Sequence, residues 1–270
     1  MASIKIITKK INILKLLGTG VLAVSMISCK ADPDKLLQQG IDLRMQGKYE
    51  KAKKKIEKSL EIRKNHVAYK ELGNYYLEFE NDLDKAIEFY QEALIEKENY
   101  INAIHNIGLA YLKKFEESRN NKKKDTSFLD KSEEWLNKAL ALDNDYTLSV
   151  SEKGKLYFYK KEYDQSLNTL KRALDLSGAD EAYIRSIMGQ VYLRGLKQYQ
   201  EALDNFKVAY GKYRKNPDLV YYMALTHKNL NNKLESKTYF IKYVELLKEL
   251  KSPADIIDNA EKQREDFFAG

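Results

Sequence analysis

Cysteine, proline and glycine are scarce in this chain of 270 residues, and each scarcity excludes a class of structure. The one cysteine, Cys29, has no partner for a disulfide bond within the chain. Three prolines and twelve glycines supply few of the residues that interrupt helices and form tight turns. Apolar residues make up 43% of the chain, which is enough for a sizeable core. The composition therefore favours long helices over a strand-rich fold.

The first 28 residues have the composition of an export signal. Four lysines and no acidic residue lie among them, and an apolar stretch from Leu16 to Ile27 ends just before Cys29. This stretch is short for a helix that spans a membrane, which needs about 20 residues. The segment resembles a bacterial lipoprotein signal, although Met26 departs from the usual residue at that place. The alternatives are an ordinary signal peptide or an uncleaved anchor with an incidental cysteine.

The resemblance to a lipoprotein signal implies a location. Residues 1–28 are then removed, Cys29 carries the lipid, and residues 29–32 form a short tether. We expect a protein of the bacterial cell envelope that is held at a membrane by this lipid anchor. Lys30, directly after Cys29, gives no signal for retention in the inner membrane. The sequence leaves open which membrane holds the protein and on which face it lies.

The net charge of +7 does not indicate a nucleic-acid-binding protein. Four of these positive charges belong to residues 1–28, and residues 113–125 carry six basic and three acidic residues. The rest of the chain is neutral overall, although residues 48–64 are locally basic. Either a solvated helix face or contact with lipid headgroups explains that basic segment.

A pattern of small and aromatic residues recurs along the chain with a period close to 34. A glycine precedes a tyrosine by three residues in four segments: Gly73–Tyr76, Gly108–Tyr111, Gly154–Tyr157 and Gly189–Tyr192. Gly40 and Ala224 occupy the corresponding places in a first and a sixth segment. Such self-similarity is typical of a stacked array of repeats.

A second set of small residues follows each glycine segment. These residues are Ala52, Ala86, Ser132, Ser166, Ala202 and Ser236. Four positions after each lies a large apolar residue: Ile56, Tyr90, Leu136, Leu170, Phe206 and Phe240. A spacing of four places both residues on one helix face, so we expect close contact with the glycine-bearing helix of the same unit.

These residues resemble the tetratricopeptide-repeat pattern of Leu-Gly-x-x-Tyr followed by Ala-x-x-x-Phe. The resemblance covers residues 33–250 and implies an all-α solenoid, a right-handed superhelix of six helix pairs with a concave groove lined by the first helix of each pair. The units are predicted at 33–65, 66–99, 100–146, 147–180, 181–216 and 217–250. A capping helix is predicted at 251–270, with Ile256, Ile257, Ala260, Phe267 and Phe268 over the end of the stack.

The third unit contains about 12 additional residues, at 113–128. Its polar and charged sequence predicts a solvated loop with extended helices beside it. Two roles are open for it, a simple exposed insertion or a contact site for an acidic partner.

Helical spacing from each glycine predicts which side chains face the groove. They are Lys70, Asn74, Asn102, His105, Asn106, Leu109, Ser151, Lys155, Ser186, Gln190, Tyr221 and Leu225. Lys70, Asn74 and Asn106 match part of the carboxylate clamp of some tetratricopeptide co-chaperones. Leu148 and Glu152 stand where that clamp has basic residues, so a general polar peptide groove is the alternative.

No catalytic or metal-binding constellation is predicted. The three histidines, His66, His105 and His227, lie on different units without the spacing of a metal site. His227 occupies a tyrosine position of the pattern, so we expect it in the core.

The predicted function is that of a non-enzymatic, membrane-anchored scaffold or adaptor that binds protein or peptide partners. No cofactor, nucleic acid or small-molecule substrate is expected. The alternatives are an assembly factor for outer-membrane proteins or for a pilus or secretion complex, and an adaptor for cell-wall hydrolases or proteases.

Overall fold

A computed structural model describes residues 31–120 and 124–268 of the chain. The predicted signal peptide and Cys29 lie outside these residues. Thirteen α-helices and no strand occur in the described part: α1 Pro33–Met45, α2 Tyr49–Ile62, α3 His66–Tyr75, α4 Leu83–Glu96, α5 Ile101–Asn120, α6 Ser127–Leu142, α7 Thr147–Lys160, α8 Tyr163–Asp175, α9 Glu181–Gln190, α10 Tyr199–Lys212, α11 Pro217–Asn229, α12 Lys233–Glu249 and α13 Ala254–Phe268. Helices α3 and α9 each continue into a π-helical turn, Tyr76–Glu80 and Val191–Leu196.

Local sequence sets where several of these helices begin. The Asp32 carboxylate accepts a hydrogen bond from the Asp34 amide at 2.9 Å, and Pro33 occupies the first turn of α1. Asn216 and Pro217 begin α11 in the same way. The side-chain oxygen of the cap accepts a hydrogen bond from an amide that has no partner within the helix. Proline, which has no N–H group, costs the first turn no helical hydrogen bond.

The helices stack in chain order, and each packs against its immediate neighbours. Within each of six antiparallel pairs, a large side chain from the second helix fills the centre and is at most 1% exposed: Ile56, Tyr90, Leu136, Leu170, Phe206 and Phe240. Each such contact between the two helices of a pair is called a joint below. The core is therefore a row of these joints along the stack, as expected of a solenoid.

In units one to five, the glycine of the first helix lies directly against that large side chain. A Cβ atom at Gly73 would lie 2.4 Å from the Tyr90 ring, and one at Gly154 would lie 2.6 Å from Leu170. Real Cβ atoms do not approach other heavy atoms so closely, which explains why glycine recurs here despite its cost in a helix. The predicted steric role of the glycines is confirmed.

Serine at the second small position adds a hydrogen bond to the joint. The hydroxyl groups of Ser132 and Ser166 donate to the carbonyl oxygens of Gly108 and Gly154, at 2.8 and 2.7 Å. Both serines are fully buried. Each hydroxyl thereby ties the second helix of a unit to the backbone of the first while satisfying its own polar group.

Much of the predicted loop at 113–128 is helical. Helix α5 runs on to Asn120 and α6 begins at Ser127. Phe115 is only 1% exposed and packs against Tyr159, with a distance of 5.2 Å between ring centroids. Burial of this aromatic ring favours the extension of α5 over a solvated loop.

Helix α13 covers the last pair through fewer residues than the sequence predicts. Ala260 and Phe267 are buried, and Phe267 stacks on Phe240 at 4.2 Å between ring centroids. Ile256 is 43% exposed, because it lies on the outer side of the first turn of α13. The side chain of Phe268 lies outside the described residues. His227 is buried against Tyr239, as its position in the pattern predicts.

Replacing one joint glycine tests the steric account. Gly73→Ala forces a methyl group against the Tyr90 ring, and we expect a loss of about 1–3 kcal/mol in the free energy of unfolding, measured with urea. Gly211→Ala in α10 is the matched control, because a Cβ there would meet no atom within 4 Å beyond the adjacent backbone of its own helix. That substitution should stabilise the protein by up to about 1 kcal/mol. Equal effects of the two substitutions would contradict the steric role.

Candidate functional site

A cavity of about 470 Å³ opens where the first helices of units three to six come together. This size lies within the range of about 300–1,000 Å³ that is common for ligand pockets. The lining is mostly polar and aromatic: Glu116, Arg119, Lys155, Tyr159, Tyr183, Ser186, Ile187, Gln190, Tyr213, Asn216, Asp218, Leu219 and Tyr222. We call it the groove cavity. Three residues predicted from sequence, Lys155, Ser186 and Gln190, lie in it.

The extension of α5 supplies one wall of the groove cavity. Glu116 accepts a hydrogen bond from the Tyr159 hydroxyl at 2.6 Å and forms an ion pair with Lys155, also at 2.6 Å. Arg119, one turn later, lies over the face of the Tyr159 ring, 5.2 Å from its centroid. The additional residues of the third unit therefore place two charged side chains in the cavity.

A buried carboxyl group lies next to the cavity. Glu152 is 7% exposed, and one of its oxygens accepts a hydrogen bond from the Tyr183 hydroxyl at 2.6 Å. Its other oxygen has no hydrogen-bond partner among the described residues. Burial raises the pKa of Glu152, against the opposing effect of Lys155. Burial also opposes the charge of Lys155, but Tyr183, Glu152 and Glu116 outweigh it and raise the pKa of the lysine.

The residues of the partial carboxylate clamp lie together, and their polar groups are already engaged within the protein. The Asn74 side-chain oxygen accepts hydrogen bonds from the Tyr90 hydroxyl at 2.9 Å and from Asn106 at 3.0 Å. Lys70 forms an ion pair with Glu71, a residue that is only 3% exposed. A ligand carboxylate at this place would have to displace Glu71 from the lysine.

A second group of predicted groove residues is buried between units three and four. His105 is 5% exposed, because Tyr146, at the end of its own unit, and Ser149, in the following unit, cover it. The Tyr146 hydroxyl also donates to the Asn102 side chain at 2.7 Å. Ser151 is likewise 5% exposed, and its hydroxyl donates to a carbonyl of its own helix. His105 and Ser151 thus do not open into the groove, which corrects the expectation from helical spacing.

The remaining predicted groove residues have packing contacts. Leu109 packs against the core formed by α4 and α5. Tyr221 contacts Tyr243 and Phe267 near the C-terminal end of the stack, and Leu225 packs in the same region. These three residues are partly buried and lie outside the groove cavity.

Sequence reasoning missed several lining residues of the groove cavity, chiefly Glu116, Arg119, Tyr183 and Tyr222. Glu116 and Arg119 lie in the segment 113–128, for which the sequence predicts a solvated loop with extended helices beside it and no groove residues. The helical spacing of Leu112 and Phe115, three residues apart on one face, is the signal that could have extended α5.

The described residues contain no cluster of histidine, cysteine or carboxylate side chains that fits a metal ion. Within the same residues, no helix has both the length and the apolar character needed to cross a membrane.

One protein-family comparison gives a match. The family described as tetratricopeptide repeat matches residues 151–217, which lie in units four to six. No curated protein sequence matches the chain.

Several solved structures have a similar fold. TTC0263, a tetratricopeptide-repeat protein of Thermus thermophilus, is 22% identical, with a TM-score of 0.59 over 72% of this chain and 98% of its own. PilW, a type IV pilus biogenesis factor, is 20% identical, with a TM-score of 0.62 over 82% of this chain and 95% of its own. A chain of the APC/C hetero-tetramer Cut9–Hcn1 is 18% identical, with a TM-score of 0.71 over 87% of this chain and 42% of its own. At these identities the similarity concerns the fold.

The buried His105 predicts a pH dependence of stability. Burial lowers its pKa to about 4, whereas an unfolded histidine has a pKa of about 6.5. As the pH falls below 6.5, the unfolded chain gains a proton that the folded chain does not bind. Between pH 6.5 and 4, the free energy of unfolding should fall by about 3 kcal/mol more in the natural protein than in His105→Asn. Parallel pH profiles of the two proteins in urea unfolding would refute this assignment.

Proposed function

Because this chain is a solenoid of tetratricopeptide repeats, we propose that it is a non-catalytic scaffold that binds other proteins through its groove. The groove cavity is the observation that carries this proposal. Four successive units contribute to it, so a ligand that fills it is long enough to contact several helices. Its tyrosine, serine and glutamine side chains offer hydrogen bonds and apolar surface together, which suits a peptide segment.

We further propose that the scaffold works in a bacterial cell envelope, attached through a lipid on Cys29. Support comes from the sequence, in which the only cysteine follows a basic and then an apolar segment. Helix α1 begins at Pro33, four residues after that cysteine. An anchor at Cys29 would therefore hold the first unit close to the membrane surface.

A more specific role is in the assembly of a pilus or secretion complex. The fold similarity to PilW, a type IV pilus biogenesis factor, favours this candidate because it extends over 95% of that chain. Outer-membrane protein assembly and the recruitment of cell-wall hydrolases or proteases are the other candidates, and co-purification of the respective machinery distinguishes them.

Replacing Cys29 tests the anchor. In bacterial cells fed a radiolabelled or alkyne-bearing fatty acid, the full chain should incorporate label and sediment with membranes. Cys29→Ala should lose the label and move to the soluble fraction, because a lipid supplies the membrane affinity. Retention of the label in Cys29→Ala would place the lipid on another residue and contradict the proposal.

Site-specific photocrosslinking tests the groove. Benzoylphenylalanine in place of Gln190 lies in the groove cavity, whereas the same probe in place of Lys171 lies on the exposed side of α8. Irradiation of intact cells should give adducts with partner proteins from the first position and few from the second. Adducts from position 171 alone would place the partner on the outer helices and overturn the proposal.

A further inference from the structure

Resting on the proposed function, we propose that the groove cavity selects a partner segment with an acidic side chain, which the Arg119 guanidinium binds. The guanidinium has no hydrogen bond or ion pair to any of the described residues, and its one recorded contact is with the Tyr159 ring. Arginine carries five N–H donors in a planar fork that matches a carboxylate. An arginine that lines a cavity with its donors unused is therefore suited to bind an anionic group there.

Lys155 and two carboxylates near Arg119, those of Glu116 and Asp180, already have partners within the protein. Lys155 is paired with Glu116 at 2.6 Å, and the Tyr159 hydroxyl donates to the same carboxylate. Asp180, beside the cavity, accepts from the Tyr213 hydroxyl at 2.5 Å and pairs with Lys212 at 2.7 Å. Of the two lining cations, Arg119 is thus the one without a hydrogen bond or ion pair to any of the described residues.

Asp218 is the lining carboxylate without such a partner in the described residues. It is exposed and lies in the first turn of α11, whereas Arg119 lies in the last turn of α5. The two charges thus belong to the first helices of units three and six. A segment that places an acidic side chain on Arg119 and a backbone N–H or hydroxyl on Asp218 satisfies both groups.

The position of Arg119 is also well prepared for binding. Its guanidinium already lies over the Tyr159 ring, and the Tyr159 hydroxyl is itself fixed by Glu116. Stacking of this kind restricts the long side chain before the ligand arrives, which lowers the entropic cost of binding. Glu116 and Arg119 belong to the additional turns of α5. The insertion in the third unit therefore gives the groove its preference for an acidic side chain.

Three pools of nonapeptides provide the test. The peptides are acetylated and amidated, random at every position except the centre, and carry Glu, Gln or Lys at the centre. We expect immobilised protein to retain the Glu pool about tenfold more than the Gln pool, since hydrogen bonds between charged groups have this strength. Arg119→Ala should abolish that difference and Arg119→Lys should restore part of it. A fourth pool, with central Gln and a free C-terminal carboxylate, shows whether a chain terminus serves as well as a side chain.

Controls separate this inference from the proposed function. Lys171→Ala removes one positive charge outside the cavity and should leave the preference for Glu unchanged. Helical circular dichroism of each variant shows that the solenoid is intact. Equal retention of the Glu, Gln and Lys pools, or a preference for Lys, would overturn the role of Arg119 while leaving peptide binding in place. Retention of no pool by the natural protein would count against the proposed function and this inference together.

Discussion

The close approach of the two helices in each unit is the constraint on which the structure depends. In the first five units a large side chain of the second helix packs onto a glycine of the first, as Tyr90 does on Gly73. No Cβ fits between them, and each such contact fixes the separation of its pair. Since each helix packs mainly against its immediate neighbours in the chain, the stack is largely a repetition of one local geometry. Serine hydroxyl groups that donate to the glycine carbonyl oxygens, as at Ser132, strengthen the same joint.

The joints use one face of each first helix and leave another face for the groove. In units three to six this second face carries polar and aromatic side chains that enclose the groove cavity. The extension of α5 changes that surface most, because burial of Phe115 holds the additional turns in place and brings Glu116 and Arg119 to the cavity. A departure from the regular repeat thus becomes the part of the groove with the most distinctive chemistry, whereas the joints themselves have a structural role.

The sequence predicted the fold well because the joint is local and periodic. Gly154 and Leu170, 16 residues apart, are in contact as the spacing of small and large residues indicated. The groove was harder to predict, since helical spacing gives the direction of a side chain but not the neighbours that cover it. His105 lies on the expected helix face, but Tyr146, and Ser149 of the next unit, bury it. Extended helices beside the insertion were expected, but the charged sequence did not indicate how far α5 continues, because the tertiary contact of Phe115 favours its extension.

The central claim is that partners bind in the groove cavity. Amide hydrogen exchange, compared with and without the partner captured at position 190, tests it most directly, since it reports on every helix at once. The account predicts slower exchange on binding in α5, α7, α9 and α11, whose residues line the groove cavity, and unchanged exchange in the outer helices α8 and α10. Protection confined to α8 and α10, with the four lining helices unaffected, would contradict it.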